Sequence, residues 1–305
     1  MTKTVFHILP QNNTICGGIK VHAQISSLLR EMGYSSFLCF PKVEPDMLSW
    51  FKNDVRFLTY QQAEMMACHN DIVIGWEELA PLRSFPVKNK VCYIQHDAYA
   101  DKKGDYTGIH IWYNTNWVRS KVGKLGSIVT PHLNPIFWDW DYEAKASEKV
   151  TVGLQERKAG REHLDQVLQY LSPEQRDRFQ FNICPDVSEE KFGEFLRGQD
   201  VYFTHSYPEG LGLTGLEAMA AGCIVIGYTG GGGTDYMVNG KNCMYASDGD
   251  AQTVAKYLSK ITEDWLCGDV GCHMRTEGFK TARSYSRDRM KKELLAALGQ
   301  IIGKE

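Results

Sequence analysis

The chain contains no C-x-x-C pair, although it carries nine cysteines among 305 residues. The nearest approach is Cys267 and Cys272, held apart by Gly-Asp-Val-Gly. Zinc sites need closer thiol pairs backed by histidines, so the cysteines read as reduced, small core residues and no metal site is expected. Free thiols in this number point to a reducing cytoplasm. Equally missing is a run of the roughly eighteen apolar residues that a membrane span requires. The opening Met-Thr-Lys-Thr-Val-Phe-His-Ile-Leu-Pro lacks the apolar core and cleavage site of a signal peptide. The expectation is a cytoplasmic protein, at most peripheral at the inner face of a membrane. Charge of one sign is scarce too. Lys+Arg 34 against Asp+Glu 37 leaves a net charge of −3, which exerts no global pull on nucleic acid or anionic lipid. No short-period repeat and no low-complexity tract is present, which excludes solenoids and arrays.

What the chain does have is a rhythm. Short, continuously apolar runs at Thr4–Leu9, Ser36–Phe40, Val55–Thr59, Asp71–Trp76, Lys90–Gln95, Ile109–Asn114 and Ser127–Thr130 are separated by helical or polar stretches. Such runs predict buried parallel strands joined by βα crossovers. Between the first two, Cys16-Gly17-Gly18 breaks the strand, and Ile19–Met32 has helical spacing closed by Gly33. Residues 131–147, with two prolines, Trp138, Trp140 and Tyr142, read as a linker. The rhythm then restarts with strands at Lys149–Leu154, Phe179–Cys184, Val201–His205 and Cys223–Tyr228, with helices near Arg161–Leu171 and Ser188–Leu196. At this length two α/β domains are expected, with function on the loops that follow strands.

The informative segment follows the strand at Val201–His205. It reads Ser206-Tyr-Pro-Glu209-Gly210-Leu211-Gly212-Leu213-Thr214-Gly215-Leu216-Glu217-Ala-Met-Ala-Ala-Gly222. Gly210 and Gly212 let the backbone approach a ligand, and the start of the next helix offers N–H groups and a positive dipole end that suit a diphosphate. Glu209 and Glu217 can accept hydroxyl hydrogen bonds on either side, as a sugar and a ribose would require. On spacing alone, Thr214-Gly-Leu-Glu217 equally fits a capping box, in which Glu217 merely satisfies a helix terminus.

This segment resembles the E-x7-E motif of retaining GT-B glycosyltransferases, in particular glycosyltransferase family four. The match includes Glu209, Glu217, the Gly-Leu-Gly between them and the Glu-Ala-Met-Ala-Ala-Gly tail. Downstream, Ile224–Gly227, Gly231-Gly-Gly-Thr-Asp-Tyr236 and Asn239-Gly-Lys-Asn242 are similar to the family's next strand and glycine turns. The resemblance implies two Rossmann-like domains facing a cleft. They would be residues 1–132 on the acceptor side and 133–282 on the donor side, with about 283–305 crossing back. It implies that Glu217 binds the donor ribose, Glu209 the transferred sugar, and the backbone of Gly210, Leu211, Gly212, Leu213 and Thr214 the sugar and phosphates. It also implies catalysis with no bound metal and no cofactor. The donor would be a UDP-, GDP-, ADP- or dTDP-sugar, its base not assignable.

In the first half, Gly17-Gly18 resembles the family's N-terminal glycine loop near the donor phosphate; by itself it is also an ordinary tight βα turn. Tyr93-Ile-Gln95-His96-Asp97 resembles the family's His-Asp loop, which places His96 near the reacting sugar; a structural histidine is the alternative. Asn114-Thr-Asn-Trp-Val118 is similar to a domain-orienting segment. One departure stands out. Where the family shows Gly-Arg and then Lys-Gly reaching the diphosphate, this chain has Val152-Gly153-Leu154, followed by Glu156-Arg157-Lys158-Ala159-Gly160. Lys158 matches the lysine and Arg157 stands in for the displaced arginine, unless both are solvated helix-entry charges.

Retention by double displacement needs a carboxylate nucleophile, and none stands out in the first half by spacing. Front-face attack, with the leaving phosphate accepting the acceptor's proton, needs positioning and charge stabilisation instead. Readings from other classes are a non-catalytic nucleotide-sugar-binding or partner subunit, and a GT-B-like epimerase or phosphorylase. The acceptor, a glycan or glycolipid by resemblance, leaves little trace. Trp112, Tyr113, Trp117, Phe137, Trp138 and Trp140 can stack sugars or simply pack. Lys102, Lys103, Arg119, Lys121 and Lys124 form a local basic patch that a membrane surface, a phosphorylated acceptor or nucleic acid would suit, against a plain solvated face. Arg283–Ile302 reads as one amphipathic final helix that returns to the first domain.

Overall fold

In the computed structural model, which describes residues 3–12, 14–98, 100–138 and 149–302, the continuously apolar runs become parallel strands, the central ones buried on both faces and the edge strands only partly. The chain divides into two units, Met1–His132 with Arg287–Glu305, and Leu133–Ser286.

The first unit runs β1 (Thr4–Ile8), α1 (Gly17–Glu31), β2 (Ser35–Phe40), β3 (Phe57–Thr59), α2 (Tyr60–Met66), β4 (Ile72–Gly75), α3 (Leu79–Ser84), β5 (Asn89–Ile94), β6 (Ile109–Tyr113), α4 (Asn116–Val122) and β7 (Ser127–Ile128). Among the described residues its sheet has the order β3-β2-β1-β4-β5-β6-β7. Thr59 and Gln62 close a capping box at the start of α2, and the Thr115 hydroxyl accepts from the Val118 N–H to open α4.

The second unit runs β8 (Val150–Gln155), α5 (Gly160–Leu168), α6 (Pro173–Asp177), β9 (Phe179–Cys184), α7 (Glu189–Arg197), β10 (Val201–Thr204), α8 (Leu213–Ala220), β11 (Ile224–Tyr228), β12 (Met244–Ala246), α9 (Ala251–Leu258), α10 (Glu263–Cys267) and α11 (Asp269–Ser284). Its sheet order is β12-β11-β10-β8-β9. Val152, Leu154, Val201, Phe203 and Ile226 form one core layer with Val254 and Leu258 of α9.

The predicted linker is only partly one. Leu133 and Phe137 are buried in the core of the second unit, and Pro135–Phe137 forms a short 3-10 turn. The Asn134 side chain caps that turn and donates to Glu189 Oε2 at 2.8 Å. Pro135, one of the two prolines that looked like a break, begins a capped turn. Trp140, Tyr142 and the rest of 139–148 lie outside the described residues.

The final helix is shorter than its apolar spacing suggested. Arg283 and Ser284 end α11, Tyr285 leaves the helical region at φ −89 and ψ 52, and α12 spans Arg287–Ile302. The Tyr285 carbonyl accepts from the Leu133 N–H at 3.0 Å, so this bond replaces a helical one. Met290, Leu294, Ala297 and Leu298 of α12 pack with Val5, Ile25, Ile72 and Tyr93 in the core of the first unit. Arg287 pairs with Glu31, with Nη1 2.6 Å from Oε2, and Glu293 Oε2 accepts from the Thr130 N–H at 2.6 Å.

No disulfide joins the nine cysteines, and Cys39, Cys92, Cys184, Cys223 and Cys243 are buried. Among the described residues no helix is long and apolar enough to cross a membrane.

Candidate functional site

In an open parallel sheet, successive crossovers that leave in opposite directions open a crevice at the carboxyl ends of the two strands concerned. In the second unit that boundary lies between β8 and β10; of the predicted donor residues Arg157, Lys158, Gly210, Leu211 and Gly212 stand on the two loops that follow these strands, and Leu213, Thr214 and Glu217 on α8.

The loop after β8 is tight. Lys158 and Ala159 both adopt left-handed backbone, at φ 57 and φ 60. Each costs roughly 1–2 kcal/mol for a residue with a Cβ. The turn closes so sharply that a Cβ on Gly160 would stand 1.9 Å from the Gln155 carbonyl oxygen. Lys158 is thereby aimed across the crevice, its Nζ 2.5 Å from Glu209 Oε1. These two side chains are 52% and 24% exposed, so water screens the pair and its contribution to stability is at most about 1 kcal/mol.

His205, directly after β10, holds the same loop from beneath. Its Nε2 lies 3.0 Å from the Arg157 carbonyl oxygen, and it is 2% exposed. A carbonyl only accepts, so Nε2 carries the proton; burial lowers the ring's pKa and keeps it neutral. Sequence reasoning missed His205, reading it only as the end of a strand. Arg157 donates through Nε to Gln155 Oε1 at 3.1 Å.

Glu209 is fixed through its backbone. Its N–H donates to the Gly230 carbonyl at 2.7 Å, and its own carbonyl accepts from the Gly232 N–H at 3.0 Å. A Cβ on Gly232 would stand 2.1 Å from the Gly210 oxygen, which explains glycine there. At the start of α8, Gly212 caps with φ 75 and no side-chain cap bond. Thr214 is therefore already inside the helix, which excludes the capping box. Its side chain hydrogen-bonds the buried Tyr202 phenol, and the Tyr236 hydroxyl donates to the Gly212 carbonyl at 2.8 Å.

Burial, chiefly, raises the pKa of the Tyr202 phenol; the nearby Glu217 carboxylate raises it further while the Arg157 charge opposes this. Thr214 thus bonds the Tyr202 phenol, and Glu217 and Arg157 act on it only as nearby charges. A pocket is lined by Tyr202, Thr204, Glu209, Gly212, Thr214 and Tyr236, among others. Glu217, 6% exposed, does not line it, nor do Arg157 and Lys158. The Leu211 side chain is in the core, which leaves only its backbone for a ligand, and Leu213 packs partly against that core.

In the first unit the corresponding boundary lies between β1 and β4. Gly17 and Gly18 open α1, and a Cβ on Gly18 would stand 2.6 Å from Trp76 Cη2, so the residue is small to admit the indole that follows β4. The Gln95 side chain donates to the Gly18 carbonyl at 3.1 Å. His96 follows Gln95; its Nδ1 accepts from the Ala98 N–H at 3.1 Å, so the neutral ring carries its proton on Nε2. Glu77, 1% exposed, accepts through Oε1 from the N–H groups of Gln95 at 2.9 Å and His96 at 2.7 Å, and through Oε2 from the Trp76 indole. Burial pushes its pKa up to about 7 against these hydrogen bonds. The structure therefore brings the predicted Gly17-Gly18 and His96 loops together within the unit. Trp76 and Glu77, which join them, were missed. Their one signal was a place at the end of a predicted strand.

The other candidates divide. Trp112, Tyr113 and Phe137 are fully buried packing residues, and Trp138 meets Phe279 edge-on at 5.8 Å. Lys102 pairs with Asp97 at 3.1 Å, Arg119 donates to Asn116, and Lys121 and Lys124 lie over Trp117 and Tyr106. Among the described residues no group of three or more His, Cys, Asp or Glu side chains could hold a metal ion.

Residues 157–277 match the family described as Glycosyl transferases group 1, which places a glycosyltransferase domain on this part of the chain. No curated protein matches the chain in sequence. A glycosyltransferase from Rickettsia africae ESF-5 is similar in structure, with TM-score 0.78, 13% identity, and 100% of each chain covered. Anabaena HepE in complex with UDP and glucose gives TM-score 0.73 at 13% identity, over 97% of this chain and 99% of that one. Sucrose-phosphate synthase from Thermosynechococcus elongatus gives TM-score 0.73 at 12% identity, over 98% of both. At such identities the likeness shows the fold, two parallel-sheet α/β domains as in GT-B glycosyltransferases.

Proposed function

We propose that the protein is a retaining glycosyltransferase that moves a sugar from a nucleotide-sugar donor to a glycan or glycolipid acceptor without a metal ion. The observation that carries this is Lys158 set against Glu209 at the boundary between β8 and β10, beside the start of α8. A cation, a sugar-binding carboxylate and a helix start are the parts that a departing nucleoside diphosphate and its sugar require. The match over residues 157–277 supports the same reading. UDP-glucose is the first donor to try, since Anabaena HepE has been seen in complex with it.

In the proposed step the acceptor hydroxyl attacks the anomeric carbon from the face the diphosphate leaves. The new C–O bond forms as the bond to phosphate breaks, and the hydroxyl proton passes to the departing phosphate oxygen. Lys158, Arg157 and the first turn of α8 stabilise the charge that develops on the diphosphate. Glu209 accepts from sugar hydroxyls once Lys158 turns toward phosphate. Glu217 binds the ribose, and the Nε2–H of His96 donates to a sugar hydroxyl.

Leu154, buried on β8 where the family resemblance calls for arginine, favours one second reading: a subunit that binds nucleotide-sugar without turning it over. Release of nucleotide from UDP-glucose and from GDP-, ADP- and dTDP-sugars, with and without glycan acceptors, separates the two. Acceptor-stimulated release supports transfer. Tight nucleotide binding with no release from any donor supports the binding subunit.

A further inference from the structure

We propose that Glu77 is the positioning residue of the His96 loop, its buried carboxylate fixing the backbone of Gln95 and His96 and so the place of the His96 ring. The functional half of this inference rests on the reading of His96 as a sugar-binding side chain.

The geometry carries it. Glu77 stands two residues beyond β4, at the boundary where the strand order of the first sheet reverses, and it is 1% exposed. Oε1 receives the N–H groups of two consecutive residues, Gln95 at 2.9 Å and His96 at 2.7 Å. Two adjacent backbone donors on one oxygen set both the height and the twist of the loop after β5. Oε2 receives the Trp76 indole N–H, and that ring fills the space beside Gly18. Gln95 closes the circuit by donating to the Gly18 carbonyl, and Asn114 donates to the Gln95 carbonyl at 2.9 Å. One carboxylate thus sets the loop after β5 and, through Trp76, the start of α1. Its oxygens face N–H groups rather than solvent, so it is not placed to attack an anomeric carbon.

A carboxylate is a costly choice for this position. Burial raises its pKa above the ordinary value, so the folded state binds its proton more tightly than the unfolded chain does. Stability is therefore lost as pH rises from the unfolded value of 4.5 through about 7. Among the described residues the groups that act on it include no compensating cation. The Glu78 carboxylate raises the pKa further, while the Cys92 thiol and Tyr106 phenol stay neutral because burial raises theirs. A group that only filled space would be better served by glutamine. Glutamine, however, cannot accept from Trp76 on one side and from two N–H groups on the other without turning a donor toward a donor.

Two measurements on the full chain test this. In the first, backbone amide resonances of Gln95 and His96 are followed by NMR across neutral pH. They are expected to move together with a midpoint near 7 in the wild type, to stop moving in Glu77→Gln, and at Gln95 to keep moving in His96→Gln. In the second, Glu77→Gln, which turns one amide N–H toward a donor, is expected to lower Tm modestly and to lower kcat for UDP-glucose about 10- to 100-fold with a smaller change in KM. Gln95 and His96 amides that neither titrate in the wild type nor shift in Glu77→Gln overturn the inference, as does a Glu77→Gln protein with unchanged kcat. If the wild type releases nucleotide from no donor, the transfer reading falls, and the amide titration still decides whether Glu77 holds the loop.

Discussion

Lys158 Nζ stands 2.5 Å from Glu209 Oε1, joining the loop after β8 to the loop after β10 across 51 positions of sequence. The pair is exposed enough that it adds little to folding, which separates its function from its stability. Lys158→Ala and Glu209→Ala are each expected to change unfolding free energy by no more than about 1 kcal/mol. On the proposed mechanism each should lower kcat for the productive donor by about 10²- to 10³-fold, as expected for a group that stabilises the departing diphosphate or its sugar. Thermal unfolding and initial-rate kinetics on the same preparations check both halves. Full turnover in either variant would remove that residue from the proposed machinery.

Gly160→Ala tests the turn that aims Lys158. The new Cβ would meet backbone at 1.9 Å, so the strand end or the helix must shift. The expected destabilisation is roughly 1–3 kcal/mol, with turnover reduced as the loop moves. Gly299→Ala is the control. It lies in the exposed interior of α12 with nothing within 4 Å of its Cβ, so it should stabilise by up to about 1 kcal/mol.

His7 on β1 and His22 on α1 predict an acid limb of stability. Their Nδ1 atoms are 3.0 Å apart in full burial, so one ring donates and the other accepts, and both are neutral. Burial lowers both pKa values, His22 to about 3 from 6.5, with the His22 charge lowering His7 as well. The unfolded chain then binds protons that the folded chain refuses, so stability falls as pH drops below 6.5. The slope is about 1.4 kcal/mol per pH unit for each histidine. Urea midpoints measured down this range should show it. His7→Leu combined with His22→Leu should flatten the limb. An equally steep fall in the double variant would place the acid sensitivity elsewhere.

The last helix offers a contrast between neighbours. Leu294 is fully buried against β-strand residues of the first unit, while Leu295 is 52% exposed. Leu294→Ala should cost roughly 2–5 kcal/mol and Leu295→Ala within about 0.5 kcal/mol. Similar costs at both positions would contradict the packing of α12.

Much of this was legible from residue order. The strand runs appear within a few residues of where apolar continuity put them, because a strand buried on both faces must be apolar throughout. The loop from Glu209 to the helix holding Glu217 was legible as well, since its glycines and carboxylates are consecutive in the chain. Local reading failed where another part of the molecule decides the outcome. The capping box at Thr214 and Glu217 satisfied every spacing rule, but Gly212, held by the Tyr236 hydroxyl, starts the helix earlier. The continuous final helix satisfied its periodicity, but the Leu133 N–H takes the Tyr285 carbonyl.

The sequence by itself determined most of the strand segments, β12 excepted, the order of glycines and carboxylates in the loop after β10, and that two α/β domains share the chain. Those properties depend on a residue and its near neighbours. Only the tertiary structure decided that β8 lies beside β10 and β1 beside β4. Strand order is set by packing between segments tens of residues apart, and no local pattern encodes it. From that order follow the meeting of Lys158 with Glu209 and the burial of Glu77 beneath Gln95 and His96.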